Sequence, residues 1–504
     1  MGGGPVVATG GTDFSHLVDL SKPWYTNSRL VLLNACIALL LVTSATNGYD
    51  GAMMNGLQSL QQWQEDFDHP AGQELGILNA IQGIGGLIAL PLSPYLNDGF
   101  GRRAGIVLGA TIMIVGTVLQ SASNTIHMFI GARFLLGFGC CFAASAAPLL
   151  ITEVAFPTQR AQATSLYNSL WFLGSIIAAW TTFGTFHIPN SWSWRIPSAL
   201  QGLPSVLQVF MIWFVPESPR WLMSKGRNDQ ALHVLSYYHA NGDKNAPLVE
   251  HEFQEIKTAL ERDAEIAQQN GWLSLVKTPG NRRRLRIIIA LACFSQWSGN
   301  GLILWLCDCV DLMLADLGKV FDAIGITDPT MQLLINGILN IYNFIIAISA
   351  GLLCDKAGRR PLFLASTIGM TVFWTGQTIC FGIHSETGSI AAGHAVVAMI
   401  FLYSAFCESI SCKDGLINAQ YILQTIYTVE ILPFHLRAKG FSIFALAGSL
   451  STIFNQYVNP VALESFGWKY YIFYVVWLTF ESFFIYFYLL ETKDVRTDLH
   501  LKSS

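Results

Sequence analysis

The sequence predicts an all-α polytopic membrane protein with about 12 transmembrane helices in two six-helix halves. Hydrophobic residues make up 52% of the 504 positions and charged residues only 12%, whereas a soluble globular protein carries about 25% charged residues. Apolar runs long enough to span a bilayer recur along the chain. In addition, one short polar motif occurs twice, which indicates that the two halves are similar.

The repeated motif, D-x-x-G-R-R, lies at residues 98–103 and again at residues 355–360. Each copy occupies a very short polar gap between two apolar runs, so each is expected to form the corner between two membrane helices. The glycine supplies the backbone freedom that a tight corner requires. Paired arginines favour the cytosolic side of a membrane, and both corners are therefore predicted to face the cytosol.

The first half is predicted to be a bundle of six membrane helices within residues 30–215. Its apolar runs lie at about 30–49, 76–96, 104–121, 128–151, 163–186 and 196–215. A polar N-terminal tail, residues 1–29, precedes the bundle and is expected in the cytosol. A charged stretch, residues 216–284, follows it and is predicted to be a cytosolic linker that contains helices.

The second half is predicted to be another six-helix bundle within residues 285–490, followed by a cytosolic tail at 491–504. Its clearest spans after the first lie at about 330–354, 361–381, 389–406, 442–457 and 470–490. The corner motifs are 257 residues apart, whereas a second repeated signature, which begins at Glu153 and at Glu430, recurs after 277 residues. This mismatch predicts an insertion at about 407–426, and charged residues also interrupt the segment 304–318.

The distribution of basic residues predicts the orientation in the membrane. The gap between residues 58 and 74 contains four acidic residues and no lysine or arginine. The gaps that contain Arg102, Arg160, Arg359 and Arg437 are assigned to the cytosol, because basic loops stay on that side. Both termini are then expected inside the cell.

Composition and motifs argue against several other classes of protein. The net charge of −4 is too small to indicate a nucleic-acid partner. Cys307 and Cys309 could bind a metal, but packing among small apolar residues is the favoured interpretation. Since the sequence contains no nucleophile–base pair and no metal-ligand spacing, neither an enzyme nor a cofactor is expected.

Several motifs together resemble one family. They are the two corners, residues 133–139, the Glu…Arg signatures at 153–160 and 430–437, Pro-Glu-Ser-Pro-Arg at 216–220 and Glu-Thr-Lys at 491–493. The chain resembles the sugar porter family of the major facilitator superfamily. Residues 48–51, 167–171 and 193–198 are similar to the fungal lactose-permease-like members. The resemblance implies the major facilitator fold and sugar transport by alternating access, with the site between the halves.

Asp50 and Arg133 are the candidate proton-coupling residues. Ionisable groups inside a membrane are costly and usually mark a pathway. A carboxylate in a partly dehydrated cavity should hold a proton more readily, and a nearby arginine should oppose that effect. The family resemblance implies that Asp50 is the proton acceptor and that Arg133 modulates it. A static ion pair that braces two helices is the alternative.

The candidate sugar site consists of amide and aromatic side chains, because sugars present hydroxyl groups and weakly apolar ring faces. Helical spacing groups Asn168 with Trp171, Gln296 with Asn300, and Asn336 with Asn340 and Asn343. The resemblance implies that Asn168, Gln296 and Asn343 contact the sugar. Hydrogen bonding between helices is the alternative for Asn336 and Asn340.

Charged residues at the predicted cytosolic helix ends form a candidate gate. The set comprises Asp98, Arg102, Arg103, Glu153, Arg160, Glu217, Asp355, Arg359, Arg360, Glu430 and Arg437. By resemblance, these residues form a network that favours the outward-facing state. The alternative is that they act only as topology signals, because isolated surface ion pairs contribute little stability.

These observations predict a sugar transporter of the fungal plasma membrane, with a hexose or a disaccharide such as lactose or cellobiose as substrate. Proton symport, driven by the proton gradient without a cofactor, is expected, and so are a lipid-bilayer environment and a monomeric state. Two alternatives remain. One is a sugar receptor that does not transport. The other is a family member whose transport is impaired by the segments 304–318 and 407–426.

Deletion of residues 407–426 tests the impaired-transport alternative. Charges at bilayer depth cost about 2.5 to 3.5 kcal/mol each on insertion scales, so this segment should distort the tenth span or loop out of the membrane. If it impairs transport, the deletion should raise both surface expression and sugar uptake. Full activity of the unmodified chain would contradict the alternative.

Overall fold

The structure is a computed structural model that describes residues 24–58, 60–269, 274–298, 334, 337–346, 359–387, 389–408, 431–432 and 436–488. These residues form helices and short connections, and the described part contains no strand. Several predicted features lie outside it: Asn300, Asn336, Asp355, Glu430, the cysteines at 307 and 309, the segment 304–318, most of 407–426 and both chain ends.

The first half forms six membrane-length units, one of which, α3–α4, is interrupted by a bend. The helices are α1 Ser28–Gln58, a short α2 Gln61–Asp66, α3 Gly72–Ala89, α4 Ser93–Phe100, α5 Arg102–Ser121, α6 Ile126–Val154, α7 Arg160–Thr185, α8 Trp192–Leu200 and α9 Leu203–Met211. Helices α3 and α4 meet at 47°. Pro91 and Pro94 lie at this bend, and proline removes a backbone donor and clashes with the preceding turn.

Four short or amphipathic helices connect the halves, and the described second half is also helical. The connecting helices are α10 Pro219–Ser224, α11 Asn228–His239, α12 Pro247–Gln269 and α13 Ser274–Lys277. The second half contains α14 Pro279–Trp297, α15 Gly337–Ile346, α16 Arg359–Thr387, α17 Ile390–Glu408, α18 Arg437–Phe466 and α19 Tyr470–Tyr488. The end of the bundle that carries α10–α12 is called the linker face below.

Two helices differ from the predicted spans. Helix α1 continues to Gln58, so Asp50 lies inside the helix, whereas the apolar run predicted that it ends the first span. Helix α14 begins at Pro279, six residues before the predicted second half. Thr278 accepts a hydrogen bond from the Asn281 N–H and caps this helix. In both cases the helix is longer than the apolar run that predicted it, because its backbone hydrogen bonds continue into the neighbouring residues.

Length and composition identify the helices that could cross a membrane. In the described residues, five helical segments meet both criteria, and the bent pair α3–α4 makes a sixth. Shorter apolar helices occur at Leu170–Thr185, Gly337–Ile346 and Ala391–Cys407. The total of about 12 spans remains a prediction.

Glycines allow the closest helix crossings in the first half. A side chain at Gly48 would collide with the Trp171 carbonyl, and one at Gly174 would collide with the Ala45 carbonyl, so α1 and α7 pack backbone against backbone. A side chain at Gly137 of α6 would likewise collide with the Gln82 carbonyl of α3. Such small-residue contacts are the usual way in which membrane helices approach closely.

Among the described residues, two helix pairs connect the two halves. Helix α3 packs on α18, where Gly76 faces the Tyr457 carbonyl. Helix α7 approaches α15, with the Phe172 and Phe344 ring centroids 6.2 Å apart. Gly76 lies near the start of α3, away from the linker face. The halves therefore touch on the side opposite the linker.

A buried ionic junction attaches the linker to the first half. Glu252 of α12 accepts hydrogen bonds from Arg160 Nη2 at 2.8 Å and is 2.6 Å from His239 Nδ1. His239 Nε2 is 3.1 Å from the carbonyl oxygen of Val154, the last residue of α6. The Glu252 side chain is 1% exposed. The carboxylate thus connects the linker helices α11 and α12 to the ends of α6 and α7.

Replacement of Glu252 should destabilise the protein. Glu252→Ala leaves the guanidinium of Arg160 and the imidazole of His239 without their buried acceptor, and loss of one partner of a buried pair costs about 3 kcal/mol. We expect a lower apparent Tm in detergent micelles. Glu255→Ala, which changes an exposed carboxylate on the same helix, is the matched control. An equal Tm for both variants would contradict the importance of the junction.

Candidate functional site

The carboxylate of Asp50 lies at the centre of a buried polar cluster in the first half. Its two oxygens accept hydrogen bonds from the side-chain amides of Gln82 on α3 and Gln201, which follows α8. Asp50 is 4% exposed. Two amide donors on separate helices therefore replace water around this carboxylate.

Arg133 is joined to Asp50 through Gln82. Arg133 Nη2 donates to Gln82 Oε1 at 2.6 Å, and Arg133 Nε donates to the Leu78 carbonyl at 3.1 Å. The same Gln82 amide donates through its nitrogen to Asp50. Asp50 and Arg133 thus interact across an intervening amide. The static ion pair that braces two helices remains the alternative to a proton-coupling role.

Two atoms of the cluster have unused hydrogen-bonding capacity. Arg133 Nη1 and Gln201 Oε1 are buried and have no hydrogen-bond partner among the residues that the structure describes. Buried polar atoms without partners are uncommon in proteins and require an explanation. Together with the buried charges, they mark the Asp50 cluster as a candidate functional site.

The packing of α3 on α6 assembles this cluster. Because Gly137 lies directly against the Gln82 backbone, the Gln82 side chain reaches Arg133, one turn earlier on α6. Sequence patterns alone did not identify Gln82 and Gln201. Each is an uncharged amide within an apolar run, and this feature does not distinguish a site residue from one that only forms a hydrogen bond between helices.

An aromatic surface on α7 continues from this cluster toward the second half. The Trp171 ring is 3.8 Å from the position of a Cβ at Gly51, and its centroid is 5.3 Å from that of Phe172. Phe172 in turn contacts Phe344 of α15. Trp171 therefore lies beside the α1 segment that carries Asp50. Asn168 is one turn earlier on α7, and its side chain is outside the described set.

Three of the predicted amides of the second half, Gln296, Asn340 and Asn343, belong to the described residues and lie on α14 and α15. Gln296 is half-buried, and Asn455 Nδ2 donates to its backbone carbonyl at 2.8 Å. Asn343 is also half-buried, and its Oδ1 atom has no hydrogen-bond partner in the described part of the chain. Asn340 is 5% exposed. Asn343 directly precedes Phe344, so it lies at the contact between the halves.

At the linker face, Arg102 organises the charged residues of the first corner. Arg102 Nε is 3.1 Å and Nη2 is 3.3 Å from the two Glu153 oxygens, which makes the pair bidentate. Its Nη1 is 3.2 Å from Asp98 Oδ1. Gly101 has φ +102°, a conformation that residues with a Cβ rarely adopt. The corner thus turns at its glycine and presents Arg102 to both carboxylates.

Glu217 caps the start of α5. Its two oxygens accept hydrogen bonds from the Arg102 N–H at 3.2 Å and the Arg103 N–H at 3.3 Å, donors that have no partner inside the helix. Burial raises the pKa of the Glu217 carboxyl, while the N–H groups of Ser218, Arg103 and Arg102 and the charge of Arg103 oppose this shift. The motif at 216–220 and the corner are therefore one structural unit.

The other gate candidates divide into two groups. Arg103 Nη2 donates to the Trp213 carbonyl at 3.0 Å, and Arg160 pairs with Glu252 in the linker, so neither joins the network around Arg102. Arg359, Arg360 and Arg437 belong to the first turns of α16 and α18, but their side chains are outside the described set, as are Asp355 and Glu430. Pairing of these residues across the halves remains a prediction.

The chemistry of the site suits proton and hydroxyl binding. Asp50 is an acid that can exchange a proton inside the membrane, and the amides offer donors and acceptors together. No group of three or more potential metal ligands occurs in the described residues. The groups that the Asp50 cluster and the neighbouring amides offer to a ligand are hydrogen-bond donors, hydrogen-bond acceptors and one carboxyl group.

Solved structures with the same architecture are sugar transporters. The xylose transporter XylE from E. coli, in a partially occluded inward open conformation, has a TM-score of 0.72 at 20% sequence identity and matches 92% of this chain and 100% of that chain. XylE bound to 6-bromo-6-deoxy-D-glucose, described as a major facilitator superfamily protein, has a TM-score of 0.68 at 21% identity, over 92% and 97% of the two chains. The predicted major facilitator fold is confirmed.

Sequence relatives agree with the structures. The chain is 26% identical over 483 residues to a high-affinity glucose transporter of Kluyveromyces lactis, covering 92% of this chain and 83% of the relative. It is 28% identical over 439 residues to an arabinose-proton symporter of Bacillus subtilis, covering 84% of each. These relatives are transporters and not enzymes, as predicted. The family described as "Sugar (and other) transporter" matches residues 36–499, and the chain belongs to this family of multi-pass membrane proteins.

Proposed function

We propose that the protein carries a sugar across the plasma membrane together with a proton. The observation that carries this proposal is the buried Asp50 carboxylate. It is held by the Gln82 and Gln201 amides, and the oxygen of the same Gln82 amide accepts from Arg133. Similarity to glucose transporters and to an arabinose-proton symporter supports both parts of the proposal. A proton gradient supplies the energy, and no cofactor is required.

The cluster suggests how a proton is held and released. Ionised Asp50 is stabilised by the Gln82 and Gln201 amides and by the positive charge of Arg133. When Asp50 accepts a proton, its attraction to the Gln82–Arg133 pair weakens. The three helices that carry these residues are then less tightly connected. Protonation and helix rearrangement are coupled in this way.

The sugar is assigned to the space between the halves. Trp171 offers an aromatic face on the first half, and the amides of Gln296 and Asn343 offer hydrogen bonds on the second. Asn168 and Asn300 are included from the sequence. The substrate class is a hexose or a disaccharide such as lactose or cellobiose.

Alternating access follows from the contacts between the halves. Helices α3 and α18 touch near the face opposite the linker, and rocking of one half against the other would separate them. We assign the linker face to the cytosol, because it carries Arg102, Arg103 and Arg160. Both termini then lie in the cytosol, and a monomer surrounded by lipid suffices for this mechanism.

A receptor that binds sugar without transport is the competing function. Uptake of radiolabelled D-glucose, D-xylose, lactose and cellobiose in cells that lack sugar transporters separates the two functions. Accumulation above the external concentration supports the proposed symporter. Binding without uptake would favour the receptor, and failure of every sugar in the panel would contradict the proposal.

Asp50→Asn should abolish sugar accumulation driven by a pH gradient. The amide keeps the shape of the side chain but cannot exchange a proton at neutral pH, so coupling is lost while sugar exchange at equilibrium continues. Proteoliposomes with and without an imposed pH gradient provide the measurement. Asp68→Asn, a change in an exposed acid after α2, is the control. Wild-type accumulation by the Asp50 variant would show that another residue carries the proton.

Gln296→Ala should weaken sugar binding. Removal of the amide leaves sugar hydroxyls unpaired and costs about 1 to 3 kcal/mol, which should raise the KM for uptake at normal surface expression. Asn281→Ala removes an amide from the same helix about 22 Å away and should leave the KM unchanged. An unaltered KM for Gln296→Ala would remove Gln296 from the sugar site.

A further inference from the structure

Three consecutive residues at the end of α14 are held by three different helices. Gln296 and Trp297 form the last turn of α14, and Ser298 follows it. Each of the three makes a hydrogen bond to a side chain or carbonyl of α17, α18 or α19. The final carbonyl groups of a helix lack partners within the helix, so this segment depends on its neighbours.

Helix α18 holds the first two residues. Asn455 Nδ2 donates to the Gln296 carbonyl at 2.8 Å, and Trp297 Nε1 donates to the Ser451 carbonyl at 3.1 Å. The Asn455 amide also contacts Tyr474, whose hydroxyl lies 3.0 Å from Asn455 Oδ1 and 2.8 Å from Asn459 Oδ1. Asn455 is 7% exposed. Its donor is thus directed at the backbone of Gln296.

Helices α17 and α19 hold the third residue. The Tyr403 hydroxyl donates to the Ser298 carbonyl at 2.5 Å. The Ser298 hydroxyl is 2.8 Å from Glu481 Oε2 and also lies against the Phe294 carbonyl of α14. Tyr403 is 1% exposed and Glu481 is fully buried. The Tyr403 hydroxyl of α17 and the Glu481 carboxylate of α19 therefore both contact Ser298, the residue that follows α14.

Burial of Glu481 requires an explanation. An acidic residue within a membrane helix is costly to insert, and such residues usually have a functional role. Glu481 lies in the apolar helix α19, far along the sequence from the Asp50 cluster. Its hydrogen bond to Ser298 places it two residues from Gln296.

We propose that Asn455, Tyr403 and Glu481 are positioning residues that orient Gln296 toward the sugar. This inference rests on the proposed function and deepens it. The three side chains are called the α14 clamp below. Asn455 and Tyr403 hold the backbone at 296 and 298, and Glu481 holds the Ser298 hydroxyl. They fix the last turn of α14, and with it the direction of the Gln296 side chain.

The clamp makes sugar affinity depend on the packing of the second half. Because its members come from α17, α18 and α19, displacement of any of these helices shifts the backbone that carries Gln296. A hydrogen bond loses much of its strength when one of its two groups is displaced by about 1 Å. Loss of a clamp residue should therefore weaken sugar binding through Gln296.

The test combines clamp variants with Gln296→Ala and measures the KM for radiolabelled D-glucose. Tyr403→Phe removes a hydroxyl that donates to the Ser298 carbonyl, and Glu481→Leu removes the carboxylate that faces the Ser298 hydroxyl. Each should raise the KM about three- to tenfold, with little change in maximal rate. Glu481→Gln keeps an oxygen that accepts from Ser298, so it should restore a KM near the wild-type value. In the Gln296→Ala background, neither clamp variant should raise the KM further.

Thr479→Val is the matched control. It removes a hydroxyl on α19 that donates to the Val475 carbonyl of the same helix, and it should leave the KM unchanged. Equal fold-increases in both backgrounds would show that the clamp does not act through Gln296. Unchanged KM values in folded single variants would overturn the proposal as well. Absence of uptake by the wild type for every sugar tested would instead contradict the proposed function.

Discussion

A charge buried in a membrane must be balanced by its immediate neighbours. The packing of the helices around Asp50 depends on this requirement. The bridge through Gln82 supplies two contacts with one side chain: its nitrogen faces the carboxylate and its oxygen faces Arg133. A direct ion pair would hold the two charges tightly together. The intervening amide keeps the two charged groups associated without a direct contact between them.

The same constraint explains where the other polar groups lie. Backbone groups inside a bilayer must be satisfied within helices, so side chains are needed mainly where helices end or bend. Glu217 at the start of α5 and Asn455 at the end of α14 both serve this purpose. In the first case the result is a rigid corner at the linker face. In the second, a helix end is fixed beside a residue proposed to bind sugar.

The two halves contribute different chemistry to one proposed mechanism. Ionisable residues with amide partners concentrate around Asp50 in the first half, whereas the described amides proposed for sugar binding lie on α14 and α15 of the second. The α7 surface with Trp171 and Phe172 connects these regions by contact with Phe344. These packed rings form a continuous contact from the α1 segment that carries Asp50 to α15 of the second half.

The sequence by itself determined the membrane class, the repeated halves and the family, because apolar run length and corner motifs are local properties of the chain. It also identified Asp50, Arg133 and Arg102 as unusual, since a charge within or beside an apolar run is visible without a structure. Only the tertiary structure decided their partners. Gln82 reaches Arg133 because Gly137 lets α3 and α6 touch, and Arg160 pairs with Glu252 in the linker. Such contacts depend on helix crossings between residues far apart in sequence, which periodicity and composition do not encode.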